Sequence, residues 1–416
     1  MNSFAIIKTP LADESCLTLC EDDYYEVWNY FSDIVKRRVW RALPAGIETP
    51  ASPPKYFHPD IIISSSNELH TYNTDVRGRL DDVKENALPL FCNMLGKQIN
   101  KESITLYPSS TQAILSILIS KKQKGVRNII FEAPCYFGGI YQAVFLEMKI
   151  HILLTSQDEQ YEAGVDSIAR LNSVDAPYVL MLTEPKFGIG TRRSIPRLKE
   201  LLERLPANST VIIDEAPDLS WGPRKEYWDA LSVYKGDLYR IRGLTKGLAL
   251  NGVKISILHH SEEVKSALSS THDTISGSLD AYSLQYLRKI AVAMEEYSDM
   301  ARSAVNAVKK NHMLLQSLIT NRSIKLSKIE AGYFGLIKID LGEDGDFQPK
   351  RWAFLRFAKE GRLPLVTGES LYVPCDLRHE WVRINYFLPE SEIIETAMAL
   401  NEIVTRYQEE FYTKLS

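Results

Sequence analysis

From about residue 75 onward, seven short apolar runs alternate with helical segments, and this alternation constrains the fold more than any other feature of the chain. The runs are SITLYP, NIIFEAP, IHILLT, YVLMLTEP, TVIIDEAP, LYRIRG and ISILHH. Between them, helical spacing of apolar residues marks 76–97, 111–123, 137–148 and 194–204. Short β-branched runs with little polar alternation suit strands buried on both faces, as in a largely parallel sheet between helices. The pattern predicts an α/β large domain around a mostly parallel, seven-stranded-type sheet. Residues 278–320 read as one long helical stretch. GYFGLIKIDL, LPLVTG and WVRINYFLP then supply strands of a smaller α+β unit. Upstream, 21–42 reads as an amphipathic helix, and ALPAGIETPASPPKYFHP as a proline-rich arm. The expected division is an N-terminal helix and arm (1–65) belonging to the small domain, a large domain (66–290) and a small C-terminal domain (291–416).

Composition narrows the function classes. The 416 residues are 45% apolar and 25% charged, ordinary values for a folded globular chain. The 49 Lys+Arg against 53 Asp+Glu give a formal charge of −4. With no block of basic residues, neither nucleic acid nor an anionic membrane is the expected partner. The five cysteines (Cys16, Cys20, Cys92, Cys135, Cys375) are odd in number and scattered, which fits a reducing cytoplasm better than a disulfide framework. MNSFAIIKTPLADES has neither the basic start nor the apolar core of a signal peptide, and no apolar run approaches a membrane span. Metal binding is not expected: acidic and histidine residues do not cluster, and His259 and His260, side by side after a strand, read as structural.

Ligands of open α/β sheets bind beyond the carboxyl ends of the strands, so strand-end residues are the candidates. ITLYPSSTQAILSIL runs from a strand through Ser109, Ser110 and Thr111 into a helix; the hydroxyls could cap the helix or help its free N–H groups hold a phosphate monoester. In NIIFEAPCYFGG, Tyr136 could offer a flat face to a planar cofactor, or pack helix against sheet. In STVIIDEAPDLSW, Asp214 and Glu215 end a buried strand. A carboxylate there costs several kcal/mol unless a cation or strong donor meets it; it could cap a helix, bind a metal or hold a protonated ring nitrogen. Finally, GLTKGLALNGVK isolates Lys246 among apolar residues and glycines, with no acidic neighbour in sequence. Desolvation is expected to disfavour its ammonium form and favour a nucleophilic amine able to form a Schiff base.

Taken in order, these stretches resemble the aspartate-aminotransferase superfamily, the fold-type I enzymes that use pyridoxal 5′-phosphate, from about residue 70 to 390. The resemblance implies that Lys246 is the Schiff-base lysine, Asp214 the partner of the pyridinium nitrogen and Tyr136 the stacking ring. Ser110 and Thr111 would bind the cofactor phosphate. Thr245 holds the place of the small hydroxyl residue before the lysine, and Lys254 that of a phosphate-binding arginine. Arg383 in WVRINYF matches the arginine that clamps the substrate α-carboxylate, and Tyr72 the tyrosine that reaches the neighbouring subunit's phosphate, implying a homodimer. Two positions depart from the pattern. Phe187 stands where an asparagine donates to the cofactor's phenolic oxygen, and Pro217 where a tyrosine does; Lys186 is the candidate replacement donor. The implied activity is transfer of an amino group between an amino acid and a 2-oxo acid, in amino-acid metabolism or biosynthesis. The alternatives are a decarboxylase, lyase or oxidase on the same fold, and a non-catalytic ligand-sensing module.

Overall fold

In the computed structural model the residues described are 16–18 and 76–412, apart from 156–160, 165–166, 168–169, 172–173, 223, 245, 249–254, 276–278, 344–346, 362, 364, 369–370 and 374–377. The expected helix at 21–42, the arm, Cys20, Tyr72, Thr245, Lys254 and Cys375 lie outside them.

The seven apolar runs form β2 (Ile104–Tyr107), β3 (Asn128–Glu132), β4 (Lys149–Leu153), β5 (Tyr178–Thr183), β6 (Thr210–Asp214), β7 (Asp237–Gly243) and β8 (Ser256–His259). With a short β1 (Cys16–Thr18) they make one sheet in the order β1-β4-β3-β5-β6-β7-β8-β2. The central pairs β4/β3, β3/β5, β5/β6 and β6/β7 are parallel. β8 runs antiparallel between β7 and β2, and β1 adds antiparallel to the outer edge of β4. Alternate residues of each central strand feed two cores. Ile129, Phe131, Val179, Met181 and Ile212 pack with α2 (Ser110–Gln123) and α3 (Phe137–Phe145) on one face. Ile130, Leu180, Leu182, Val211 and Ile213 pack with α4 (Ile195–Arg204) and α5 (Lys225–Leu231) on the other. Burial on both faces is what the unbroken apolar runs require.

A third core joins α1 (Val76–Leu95) to α7 (Ala281–Val292). α6 (Lys265–Ile275) packs beside α2. The helical stretch expected at 278–320 is two helices, α7 and α8 (Met294–Leu318), because Ala293 leaves the helical region at φ −106°, ψ 40°. The chain ends in an antiparallel sheet of order β11-β12-β10-β9, formed by β9 (Ile324–Leu326), β10 (Phe334–Asp340), β11 (Val366–Thr367) and β12 (His379–Asn385). Its apolar face shares a core with α8, α9 (Phe347–Glu360) and α10 (Glu390–Tyr412). Among the described residues, no helix is long and apolar enough to cross a membrane.

Candidate active site

The parallel strands β3, β5, β6 and β7 all deliver their carboxyl ends to one edge, and the antiparallel β8 begins there. Tyr107, Ser256 and Gly243 stand side by side across β2, β8 and β7, as do Thr183, Asp214 and Ile241 across β5, β6 and β7. The sheet therefore brings Asp214 at the end of β6, Lys246 just past β7 and Ser110 at the start of α2 to one edge.

Lys246 opens a 3₁₀ turn, Lys246–Leu248, three residues past β7. Gly247 explains one glycine of the isolated stretch: a Cβ there would run into the backbone carbonyl of Leu219, so only glycine lets this turn lie against the loop that follows Asp214. The lysine is isolated in sequence but not in space. Burial works against its ammonium, yet Tyr333, Asp214 and Tyr136 outweigh that and hold its pKa above the ordinary value. The sequence expectation of a disfavoured ammonium is thus corrected, because the opposing groups come from other strand ends and from the smaller sheet.

Asp214 is buried. Burial is the main cause raising its carboxyl, with the Ala216 N–H (3.0 Å to Oδ1) and Lys246 pulling the other way. Glu215 points elsewhere, to Arg240 (2.7 Å) and Arg242 (3.0 Å), so the two adjacent carboxylates serve different surroundings.

At the N-terminus of α2, Ser109 caps the helix through the Gln112 N–H. The next two hydroxyls are engaged sideways. Ser110 lies 2.8 Å from the Ser256 hydroxyl, and Thr111 lies 3.3 Å from the Tyr136 hydroxyl. The Tyr136 ring folds back over Gly138, where a Cβ would come within 2.5 Å of Cζ.

The remaining candidates complete a closed circuit of contacts. Tyr136 meets Phe187 with ring centres 5.8 Å apart. The Arg383 guanidinium lies 5.4 Å from the Phe187 ring centre and 4.1 Å from that of Phe334. Phe334 packs on Tyr333 at 4.2 Å, and Tyr333 meets Lys246. Cross-strand pairing places Arg383 opposite Leu336, two residues along β10 from Phe334. Lys186 does not enter this circuit by its ammonium, which lies 3.4 Å from Glu162.

Sequence reasoning missed three features. Ser256 reaches the α2 N-terminus only because β8 is antiparallel, and Tyr333 comes from the other sheet. The third is a buried ionic layer behind the loops: Arg193 on Glu132, Arg192 and Arg224 on Glu184, and Arg192 and Arg242 on Asp218. Three strands end at or one residue before a Glu that proline follows directly or one residue later (FEAP, TEP, DEAP), the signal that could have found it. No metal-binding cluster occurs among the described residues.

Fold and site define a fold-type I, pyridoxal phosphate-dependent enzyme. The sequence matches the family "Aminotransferase class I and II" over residues 60–400, and the chain belongs to that family. It is accordingly a pyridoxal phosphate-dependent aminotransferase, a transferase whose substrates are amino acids and 2-oxo acids. Solved structures share the fold at low identity. A double mutant of Thermus thermophilus aspartate aminotransferase superposes with a TM-score of 0.71 at 15% identity, covering 91% of this chain and 96% of that one. An aminotransferase from Eubacterium rectale gives 0.69 at 17% identity, covering 92% and 95%. An Escherichia coli protein with a methionine aminotransferase function gives 0.67 at 14% identity, covering 90% and 97%. The search of curated proteins returned no match.

Proposed function

We propose that Lys246 carries the cofactor and serves as the base at Cα of a bound amino acid, whose amino group passes to a 2-oxo acid. The observation that carries this reading is that Lys246 and Asp214 stand at the carboxyl ends of the adjacent strands β7 and β6, where each favours the charged form of the other. The donor set fits pyridoxal phosphate. A helix N-terminus bearing Ser110 and Thr111, joined by Ser256, suits a phosphate, and Tyr136 suits a ring face. A buried carboxylate with a raised pKa is one that a cationic ring nitrogen would relieve. When bound, the cofactor supplies an electron sink for charge developing at Cα.

The chain's own residues do the rest. The Asp214 carboxylate would accept from the ring nitrogen and keep it protonated, Arg383 would orient the substrate carboxylate, and Lys246 would take the Cα proton. Tyr72, Thr245 and Lys254 complete the phosphate site, with Tyr72 acting across a homodimer interface. The division at 1–65, 66–290 and 291–416 and a cytoplasmic setting in amino-acid metabolism or biosynthesis belong to the same reading. Phe187 and Pro217, neither able to donate to the phenolic oxygen, favour a second reading: decarboxylation, elimination or oxidation at the same carbon.

Borohydride reduction of the yellow protein followed by peptide mapping is expected to label Lys246; a label on another lysine overturns the assignment. A panel of amino acids, with and without a 2-oxo acid, then separates the reactions. A keto acid formed only in stoichiometric amount until a 2-oxo acid is added supports transfer. Carbon dioxide, ammonia or peroxide released catalytically without a 2-oxo acid supports the second reading.

A further inference from the structure

Tyr333 is the residue of the circuit that no sequence pattern marked. Its ring centre lies 5.4 Å from the Lys246 Nζ, and Tyr333 leads the groups that favour the ammonium form of that amine. We propose that Tyr333 is the positioning residue of Lys246: its hydroxyl fixes where the amine stands and tunes its hold on the proton.

The tyrosine is held firmly for such a role. Its carbonyl accepts from the Tyr386 N–H at 2.8 Å. The turn before it docks on the segment between β5 and α4, with the Glu330 and Ala331 N–H groups at 2.8 and 2.9 Å from the Gly190 carbonyl. The Arg192 N–H in turn donates to Glu330 Oε2 at 3.0 Å. Gly332, at φ +73°, allows the closest approach, since a Cβ there would stand 2.9 Å from Cγ of Pro185. Tyr333 is buried and reaches Lys246 across the junction of the two sheets.

The chemistry suits the position. A phenol accepts from an ammonium and donates to a neutral amine, so it suits Lys246 in either protonation state. Three groups face Lys246 and oppose its burial: Tyr333 first, then Asp214 and Tyr136. Asp214 accepts from the Ala216 N–H, and the Tyr136 hydroxyl lies 3.3 Å from that of Thr111. Among the described residues facing Lys246, Tyr333 opposes its burial most, which makes it the residue suited to follow the amine's proton.

The inference rests on the reading of Lys246 as the reacting lysine, but its test does not require the cofactor. In cofactor-free protein, the pH dependence of Lys246 acetylation by acetic anhydride is read by mass spectrometry. Loss of the hydrogen bond in Tyr333→Phe is expected to move the labelling profile to lower pH. Labelling at a fixed pH below the midpoint should become roughly tenfold faster or more, the size of one charged hydrogen bond. Should the Phe variant fold poorly, Tyr333→Leu removes the same hydroxyl, and the same shift to lower pH is expected. An unchanged or slower profile in the variant that folds overturns the proposal. Borohydride mapping to another lysine would overturn the reading of Lys246 as the reacting group and leave the labelling shift standing, so the two failures are distinguishable.

Discussion

The guanidinium of Arg383 is sandwiched against Phe187, 5.4 Å from its ring centre, while Phe334 closes over it at 4.1 Å. Stacking of this kind holds the planar fork in a fixed plane, which an ammonium on a flexible stem does not do. Burial pulls the arginine's pKa down to about 9, so it remains a cation at neutral pH.

Replacing it therefore tests geometry as well as charge. Arg383→Lys keeps the charge but loses the fork and the stacking. Charge-assisted hydrogen bonds contribute about 1.5–3 kcal/mol each, so KM for the 2-oxo acid is expected to rise roughly 10- to 100-fold. Thermal stabilisation of the wild-type protein by added 2-oxo acid should also disappear. Steady-state kinetics and melting curves check this; an unchanged KM would remove Arg383 from the substrate site.

Asp214 is expected to act in opposite directions with and without cofactor. Its folded-state pKa is raised, chiefly by burial, so the native state binds this proton more tightly than the unfolded chain. Stability from this group is present at low pH and falls as pH climbs from the ordinary carboxylate range through the raised pKa. Above that raised pKa the ionised carboxylate is a cost to the cofactor-free protein. Asp214→Asn should then raise the melting temperature of that form at pH 8, while having little effect at pH 3. The same change should weaken cofactor retention, since an amide does not hold a protonated ring nitrogen as a carboxylate does. Melting curves of both forms decide it; a cofactor-free variant less stable than wild type at pH 8 contradicts the sign.

These residues were legible to different degrees, for physical reasons. Asp214, Lys246 and the Ser110–Thr111 pair lie at the ends of apolar runs, and strand ends are where an open sheet binds ligands, so local pattern sufficed. The neighbours of Lys246 were not legible: Asp214 is on another strand and Tyr333 on another sheet, and desolvation read from sequence alone gave the wrong direction. LYRIRG was legible as a strand, and Tyr239 and Ile241 pack on one core, yet the partners of Arg240 and Arg242 depend on which strand lies beside it. The break at Ala293 was hidden because apolar spacing continues from α7 into α8.

The ionic layer behind the site carries the last prediction. Arg193 and Glu132 are both buried and form a bidentate pair, with Nη1 to Oε1 at 2.8 Å, and Glu132 also accepts from the Ala163 N–H at 2.5 Å. Removing one member leaves an uncompensated buried charge, which typically costs 3–5 kcal/mol, whereas replacing both by apolar groups removes the charges altogether. Arg193→Met is therefore expected to lose roughly 3–5 kcal/mol in urea denaturation. The double variant Glu132→Leu with Arg193→Met keeps one defect, the Ala163 N–H without its acceptor, worth about 1–3 kcal/mol. The double variant should then be more stable than the single arginine variant. Additive losses would mean that the two side chains act independently and that the pairing is not what stabilises this layer.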